Sequence, residues 1–323
     1  MPQDQKPSTA KLKDVKSKLH HRNRHQTNYN FEKLIAQTPA LADHVAMNKY
    51  GVKTIDFHNT TAVKLLNQAL LKYDYEVLHW DIPEGYLYPP IPSRADYIHY
   101  AADILGSDDN RRIPLGKQIK CLDIGTGANC IYPIIGASQY EWSWVASDID
   151  PISVQTANTI TQANGLAVEV RLQENDRYFF KEIIKAREYY DITVCNPPTH
   201  GSQAEATSAI LRKLKNRKSE ESEKSDPSFH GLHKELWCSG GELRFIKDMV
   251  RESAAFKEQV LWFSTLVNKP ENLDDIYFAL KKAEVVNVKT MAMGKSTKSS
   301  SIVAWTFHTK GRRMQWAKKR MSR

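Results

Sequence analysis

The sequence predicts an α/β fold: a mostly parallel, doubly wound sheet of the Rossmann-like kind with a C-terminal antiparallel strand, preceded by a mainly helical N-terminal module. Three observations carry this expectation. From Lys117 onward, short apolar runs alternate with amphipathic stretches in β-α-β-α-β order, which favours parallel strands with crossover helices on both faces. Two of these runs end in distinctive turns: Asp123-Ile124-Gly125-Thr126-Gly127 after the first and Asn196-Pro197-Pro198 after the fourth. Ahead of Lys117, apolar positions recur at helical spacing and are broken by one proline-rich stretch.

Residues 1–26 read as a flexible basic tail. Lys6, Lys11, Lys13, Lys16, Lys18, Arg22 and Arg24 stand against Asp4 and Asp14, with His20, His21 and His25 interleaved. Such a segment is either a solvated arm or one that orders on RNA phosphates. The histidines lack cysteine or carboxylate partners at ligand spacing, so no metal site is expected. Residues 27–105 form the helical module and are read as its RNA-binding part. Phe31, Leu34 and Ile35 mark one helix, and Ala62, Leu65, Leu66, Ala69 and Leu70 a second. The four prolines of residues 83–92 make a rigid loop, after which a helix starts near Ser93 and carries Arg94, Tyr97, Ile98 and Ala101.

The sheet domain is expected over residues 106–309. Strands are expected at 119–124, 144–148, 168–172 and 191–195, with helices at 151–164, where Pro151 suits the first turn, and at 178–188. Residues 201–234 form a charged insertion in which Arg212, Lys213, Lys215, Arg217, Lys218 and Lys224 face Glu220, Glu221 and Glu223; a loop of that length has a function or no fixed form. A helix at 242–252, a strand at 260–267 and a helix at 273–283 follow. Strands at 285–291 and 301–307 close the sheet as an antiparallel pair joined by 294–300. Residues 310–323, with seven basic residues, no acid and Trp316, read as a basic tail.

The chain has 323 residues and a formal net charge of +9, a balance that favours polyanionic partners because each neutralised phosphate releases a counterion. Cys121, Cys130, Cys195 and Cys238 form no C-x-x-C pair, so neither a zinc site nor a disulfide framework is expected. The N-terminus has no apolar leader, and no run of 18 apolar residues exists; a cytoplasmic monomer off the membrane is the expectation.

Chemistry concentrates at three strand ends. The glycines of Asp123-Ile124-Gly125-Thr126-Gly127-Ala128-Asn129 let backbone approach a ligand and turn into a helix, making Asp123, Gly125, Thr126, Gly127 and Asn129 candidate cofactor contacts. Taken alone, this string suits a dinucleotide as well. Asp148, ending the second strand, suits both hydroxyls of a ribose; Asp150 either shares that role or caps the helix starting at Pro151. Asn196-Pro197-Pro198 ends the fourth strand. The Asn196 side-chain carbonyl and the Pro197 backbone carbonyl can each accept one N–H of a planar amine and aim its nitrogen, while proline removes competing donors.

The segments LDIGTGANCIYPIIGA, ASDIDP, VCNPP, LHKELWCSGGELRFIKDM, VLWFSTLV and SSIVAWTF, within residues 29–307, resemble the bacterial 23S ribosomal RNA adenine-N6 methyltransferases, whose eukaryotic relatives act on a small nuclear RNA and on messenger-RNA hairpins. The resemblance implies a class I methyltransferase fold with S-adenosyl-L-methionine as cofactor and 23S rRNA, or an assembly intermediate of it, as partner. It implies cofactor contacts from Arg94, Gly125, Asn129, Asp148, Asn175 and Asn196, with Arg94 on the methionyl carboxylate. Asn196, Pro197 and Pro198 would hold the extruded adenine. Lys11, Lys13, Lys16, Lys18, Arg22, Arg24, Arg212, Lys213 and Lys215 are the expected RNA contacts. Enzymes that methylate release-factor glutamine share only the glycine loop and the NPP. The chain departs from the family at Thr199, normally an aromatic that stacks on the base. Phe229 or Trp237 is the expected replacement. The competing expectations are a weak or inactive RNA-binding or assembly factor on the same fold, and a protein glutamine N5-methyltransferase.

Overall fold

In the computed structural model, the described residues are 19–208, 235–294 and 300–320. The N-terminal part folds as α1 (Phe31–Gln37), a short hairpin of β1 (Val45–Met47) and β2 (Lys53–Ile55), and α2 (Thr60–Tyr75). Both helices start on an asparagine cap: Asn30 Oδ1 accepts from Lys33 N, and Asn59 Oδ1 from Ala62 N. Next come α3 (Ile91–Gly106), β3 (Lys120–Ile124), α4 (Ile131–Tyr140), β4 (Ser143–Asp148), α5 (Pro151–Ala163), β5 (Val168–Leu172) and β6 (Tyr190–Cys195). The chain ends with α6 (Gly241–Ser253), β7 (Val260–Val267), α7 (Leu273–Lys282), β8 (Asn287–Ala292), β9 (Ser301–Thr306) and α8 (Lys310–Arg320).

The seven-stranded sheet runs β5-β4-β3-β6-β7-β9-β8. The first five strands are mutually parallel, and β9 pairs antiparallel with both β7 and β8. The expected doubly wound sheet with one reversed strand is therefore present. Strand order changes direction at β3, so the crevice between the ends of β3 and β6 is the natural ligand position. Period-two alternation divides the core. Cys121, Ile192 and Val194 join α1–α4 on one face, while Leu122, Ile124 and Val145 join Ile246, Met249, Val250, Ile276 and Leu280 of α6 and α7 on the other. The first cluster runs without a break from Phe31 to Ala304, so the packing puts no boundary at residue 105; α3 is a layer of the sheet domain.

Three expectations are corrected. Residues 178–188 form turns, not a helix. The Glu252 carboxylate accepts from the amides of Phe179, Phe180 and Lys181, Arg171 donates to Ile183 O, and Glu182 and Arg187 have positive φ of 72° and 64°. Distant side chains satisfy this backbone, which removes the incentive to coil. Residues 19–26 are not tail, because His20 and Asn23 are buried against α3 and His25 against Tyr75 of α2. Asn23 Nδ2 donates to Pro92 O, and His20 N to Asp96 Oδ1. The C-terminal residues 310–320 are helical and docked: Arg313 and Ala317 are buried, and Trp316 Nε1 donates to Asp191 Oδ1 at 2.9 Å. Among the described residues no helix is long and apolar enough to cross a membrane.

Candidate active site

The glycine loop is stapled to the neighbouring strand. Gly125 N and Thr126 N both donate to Ser147 O, at 2.9 and 3.0 Å. Gly125 and Gly127 have φ of 70° and 63°, a region L side chains rarely occupy. Asp148 then organises the turn: its Oδ2 accepts from Gly127 N at 2.8 Å and its Oδ1 from Asp150 N at 2.9 Å. Burial raises its carboxyl above the usual range against those bonds. Asp150 resolves as the cap of α5. Its Oδ2 accepts from Ser153 N at 3.2 Å and from the Tyr86 hydroxyl at 2.7 Å, which ties down the proline-rich loop.

Asp123 lies beneath this turn with no exposure; the Thr126 hydroxyl faces it, but neither carboxylate oxygen completes a full hydrogen bond. Burial pushes Asp123 up to about 7; Asp148 adds to the rise, while Thr126 and Arg94 draw it back. Arg94, on α3, holds its guanidinium 5.8 Å from the centre of the Tyr132 ring. Asn129 is half-buried; its Oδ1 accepts from Ile131 N and its backbone carbonyl from Trp80 Nε1. Asn175 is half-buried on the turn after β5, where its Oδ1 accepts from Arg177 N. That places it at the same edge of the sheet as Asp148.

One strand along, β6 leads directly into Asn196. The strand end is pinned from α3, since Cys195 N donates to the Tyr97 hydroxyl, which also bonds Ser264 Oγ at 3.0 Å. Pro197 is buried, whereas Asn196, Pro198 and Thr199 are half-buried. His200 and Trp237 form a bridge: His200 N donates to Leu236 O and Cys238 N to His200 O, at 3.0 and 3.1 Å. Trp237 is thus paired with His200, the residue after Thr199, while Phe229 lies outside the described residues. The orphaned polar atoms and the open space above Gly125 suit a ligand that carries both donors and an acceptor.

Sequence reasoning missed Glu235. A Cβ on Gly127 would come within 2.8 Å of its Oε1, and its Oε2 accepts from Leu87 N at 3.0 Å. Its position at the edge of a charge-dense stretch hid it. The expected RNA contacts divide. Lys11, Lys13, Lys16, Lys18, Arg212, Lys213 and Lys215 lie outside the described residues. Arg24 is exposed. The Arg22 side chain donates to Tyr140 Oη, His99 O and Asp103 Oδ1, so it is already engaged within the protein.

Residues 13–309 match the model of a family described as RNA methyltransferase. The chain is 48% identical over 309 residues to the ribosomal RNA large subunit methyltransferase F of Cytophaga hutchinsonii, covering 95% of this chain and 96% of that one. It is 47% identical over 311 residues to the enzyme of the same name from Pseudomonas putida strain GB-1, covering 95% and 98%. Among solved structures, it resembles the human METTL16 catalytic domain in complex with a MAT2A 3′UTR hairpin, with a TM-score of 0.73 and 28% identity over 91% of this chain and 98% of that one. It also resembles the METTL16 N-terminal domain in complex with SAH, with a TM-score of 0.70 and 26% identity over 90% and 99%. With that coverage and a glycine loop and Asn-Pro-Pro turn on adjacent strand ends, the chain belongs to the RNA methyltransferase family of large-subunit ribosomal RNA methyltransferase F.

Proposed function

We propose that this RNA methyltransferase transfers a methyl group from S-adenosylmethionine to the exocyclic N6 of an adenine in 23S ribosomal RNA, acting as a monomer in the bacterial cytoplasm. The observation that carries the reading is the adjacency of two strand ends: β3 delivers the cofactor loop, and the parallel β6 delivers Asn196-Pro197 next to it. Arg94, Asp123, Gly125, Thr126, Gly127, Asn129, Asp148 and Asn175 would hold the cofactor, whose sulfonium supplies an electrophilic methyl group. A purine amine is a weak nucleophile because its lone pair is conjugated. Asn196 Oδ1 and Pro197 O each accept one of its N–H bonds and fix the nitrogen toward the methyl carbon. The N–C bond forms as the S–C bond breaks, and the amine then loses one proton. Thr199 offers no stacking face, so Trp237, bridged to the next residue, takes that role on an extruded base.

The test is single-turnover transfer from labelled cofactor to 23S rRNA fragments, with release factors as the protein comparison. The expected product is N6-methyladenosine in RNA. Asn196→Ala is expected to slow the step by about 10²–10³, as loss of one preorganised polar group does. Full activity in Asn196→Ala, or label on release-factor glutamine, overturns the reading.

A further inference from the structure

We infer that Glu235 is a cofactor-contacting residue: its Oε1 takes an N–H or O–H donor of bound S-adenosylmethionine while its Oε2 stays on Leu87, so that filling the pocket ties the proline-rich loop and residues 235–238 to the glycine loop. The inference rests on the methyl-donor reading above. Three observations support it.

The first is position. Glu235 Oε1 occupies the space that a side chain on Gly127 would need, 2.8 Å from the ideal Cβ. Gly127 is also the residue whose amide binds Asp148, so the two carboxylates flank the same turn. Any ligand lying along that turn meets both.

The second is unsatisfied chemistry. Glu235 Oε2 is bonded to Leu87 N, and the Ala128 amide also draws on the carboxylate, yet the buried Oε1 completes no full hydrogen bond within the protein. An orphaned acceptor costs free energy unless something supplies a proton to it. Asp123, wholly enclosed beneath the loop with neither oxygen completing a full hydrogen bond, independently marks the same place as built for a missing donor. Asp148 repels both Asp123 and Glu235, Asp150 adds to the repulsion at Glu235, and Arg94 is the cation that acts on Asp123. S-adenosylmethionine carries an ammonium, a sulfonium and two ribose hydroxyls, which suit this excess of acceptors.

The third is connection. Residue 235 begins the segment whose Leu236 O and Cys238 N pair with His200, four residues beyond Asn196. Its Oε2 reaches the proline-rich loop, which Tyr86 ties to Asp150. A donor bound at Oε1 therefore anchors the two segments that border the cofactor and the target amine.

The experiment is calorimetric titration of the full chain, of Glu235→Gln and of Glu235→Ala with S-adenosylhomocysteine and with 5′-methylthioadenosine, which keeps both ribose hydroxyls and lacks the ammonium. Thermal melting of each protein without ligand reports folding separately. Glu235→Gln keeps the side-chain volume and an acceptor for Leu87 N. The expected result is S-adenosylhomocysteine binding weakened on the order of 10- to 100-fold in both variants. A parallel loss for methylthioadenosine assigns the donor to the shared adenosine moiety, its ribose hydroxyls or adenine amine, and an unchanged value assigns it to the ammonium. Dissociation constants equal to wild type in both variants, with or without a lower melting temperature, overturn the inference. A wild-type chain that binds neither compound overturns the methyl-donor reading instead.

Discussion

Asp108 and Asp123 are both buried aspartates, 7% and 0% exposed, and they have opposite surroundings. Asp108, just past α3, accepts from Trp262 Nε1 at 2.8 Å and from Arg313 Nε at 2.9 Å, so each oxygen has a donor and α8 is clasped to the sheet. Asp123 completes no full hydrogen bond. The same contrast separates other acids from the site: Glu242 accepts from Asn268 N, Lys269 N and Asn272 Nδ2, and Glu252 from three backbone amides. Away from the cofactor crevice, buried carboxylates are saturated by the protein and hold it together. In the crevice between β3 and β6, Asp148 and Asp150 are bonded as well, while Asp123 and Glu235 Oε1 are left short of donors, at a cost of about 1–3 kcal/mol for each unpaired group.

The strongest way to break this comparison is to remove the saturated acid. Asp108→Ala leaves the buried Arg313 guanidinium without its partner and is expected to cost about 3–5 kcal/mol of stability. Denaturant melts check the loss, and cofactor affinity of the remaining folded protein should match wild type. A weaker affinity there would mean that the clasp and the crevice are not separable.

Removing the orphaned acid should do the reverse. Asp123→Asn deletes a buried charge while keeping shape, so stability without ligand at pH 8 is expected to hold or rise, while cofactor binding loses about 1–3 kcal/mol. The pH dependence follows from the carboxyl held up to about 7 against its ordinary 3.8. A raised acid favours the folded state below 3.8, and that contribution is lost as pH rises to about 7. Over the same window the charged form that attracts a cationic ligand accumulates. The ligand-free protein should therefore melt at progressively lower temperature from pH 4 to pH 7 through this group, as cofactor affinity increases. Asp123→Asn should flatten both trends, leaving the Glu235 contribution, since burial also holds that carboxyl at about 7. A variant that melts like Asp108→Ala and binds like wild type would sink the distinction.

How far the sequence reveals these roles depends on how local each cause is. Strand 168–172 is read to the residue from its alternating exposure and strand 260–267 from a largely apolar run that is buried throughout, both local signals. The glycine turn and Asp148 are legible because positive φ at Gly125 and Gly127 and the Gly127 amide call for their residue types. The helix expected at 178–188 fails because its amides are claimed by Glu252, over seventy positions away. The surroundings of Glu235 and Arg22 are hidden for the same reason: each sits in a charged run, and its partner, Leu87 or Asp103, lies far along the chain. The docked C-terminal helix did leave a local trace, since Arg313, Trp316 and Ala317 follow i, i+3, i+4 spacing, but the density of basic residues masked it.

The smallest expected effect concerns the basic N-terminus, and it carries the comparison from acids to cations. Arg22 is engaged as Asp108 is: it donates to Tyr140, His99 and Asp103, and those bonds dock residues 19–26 on α3. Its side chain is 26% exposed and that of Asp103 is 42% exposed, so solvent screens the pair and Arg22→Ala should cost only about 1 kcal/mol of stability. A cation already committed to a carboxylate releases no counterion on meeting RNA, so the variant should leave the salt dependence of rRNA binding unchanged. Deleting residues 1–18 should do the opposite. It removes Lys6, Lys11, Lys13, Lys16 and Lys18, and the slope of log affinity against log salt should fall by up to about 0.7–0.9 for each phosphate that is no longer neutralised, with little change in melting. Fluorescence titration of an rRNA fragment at several salt concentrations measures the slope, and a thermal melt measures the stability. If Arg22→Ala flattens the slope and the truncation does not, Arg22 meets phosphate in the complex and its internal pairing is given up on binding.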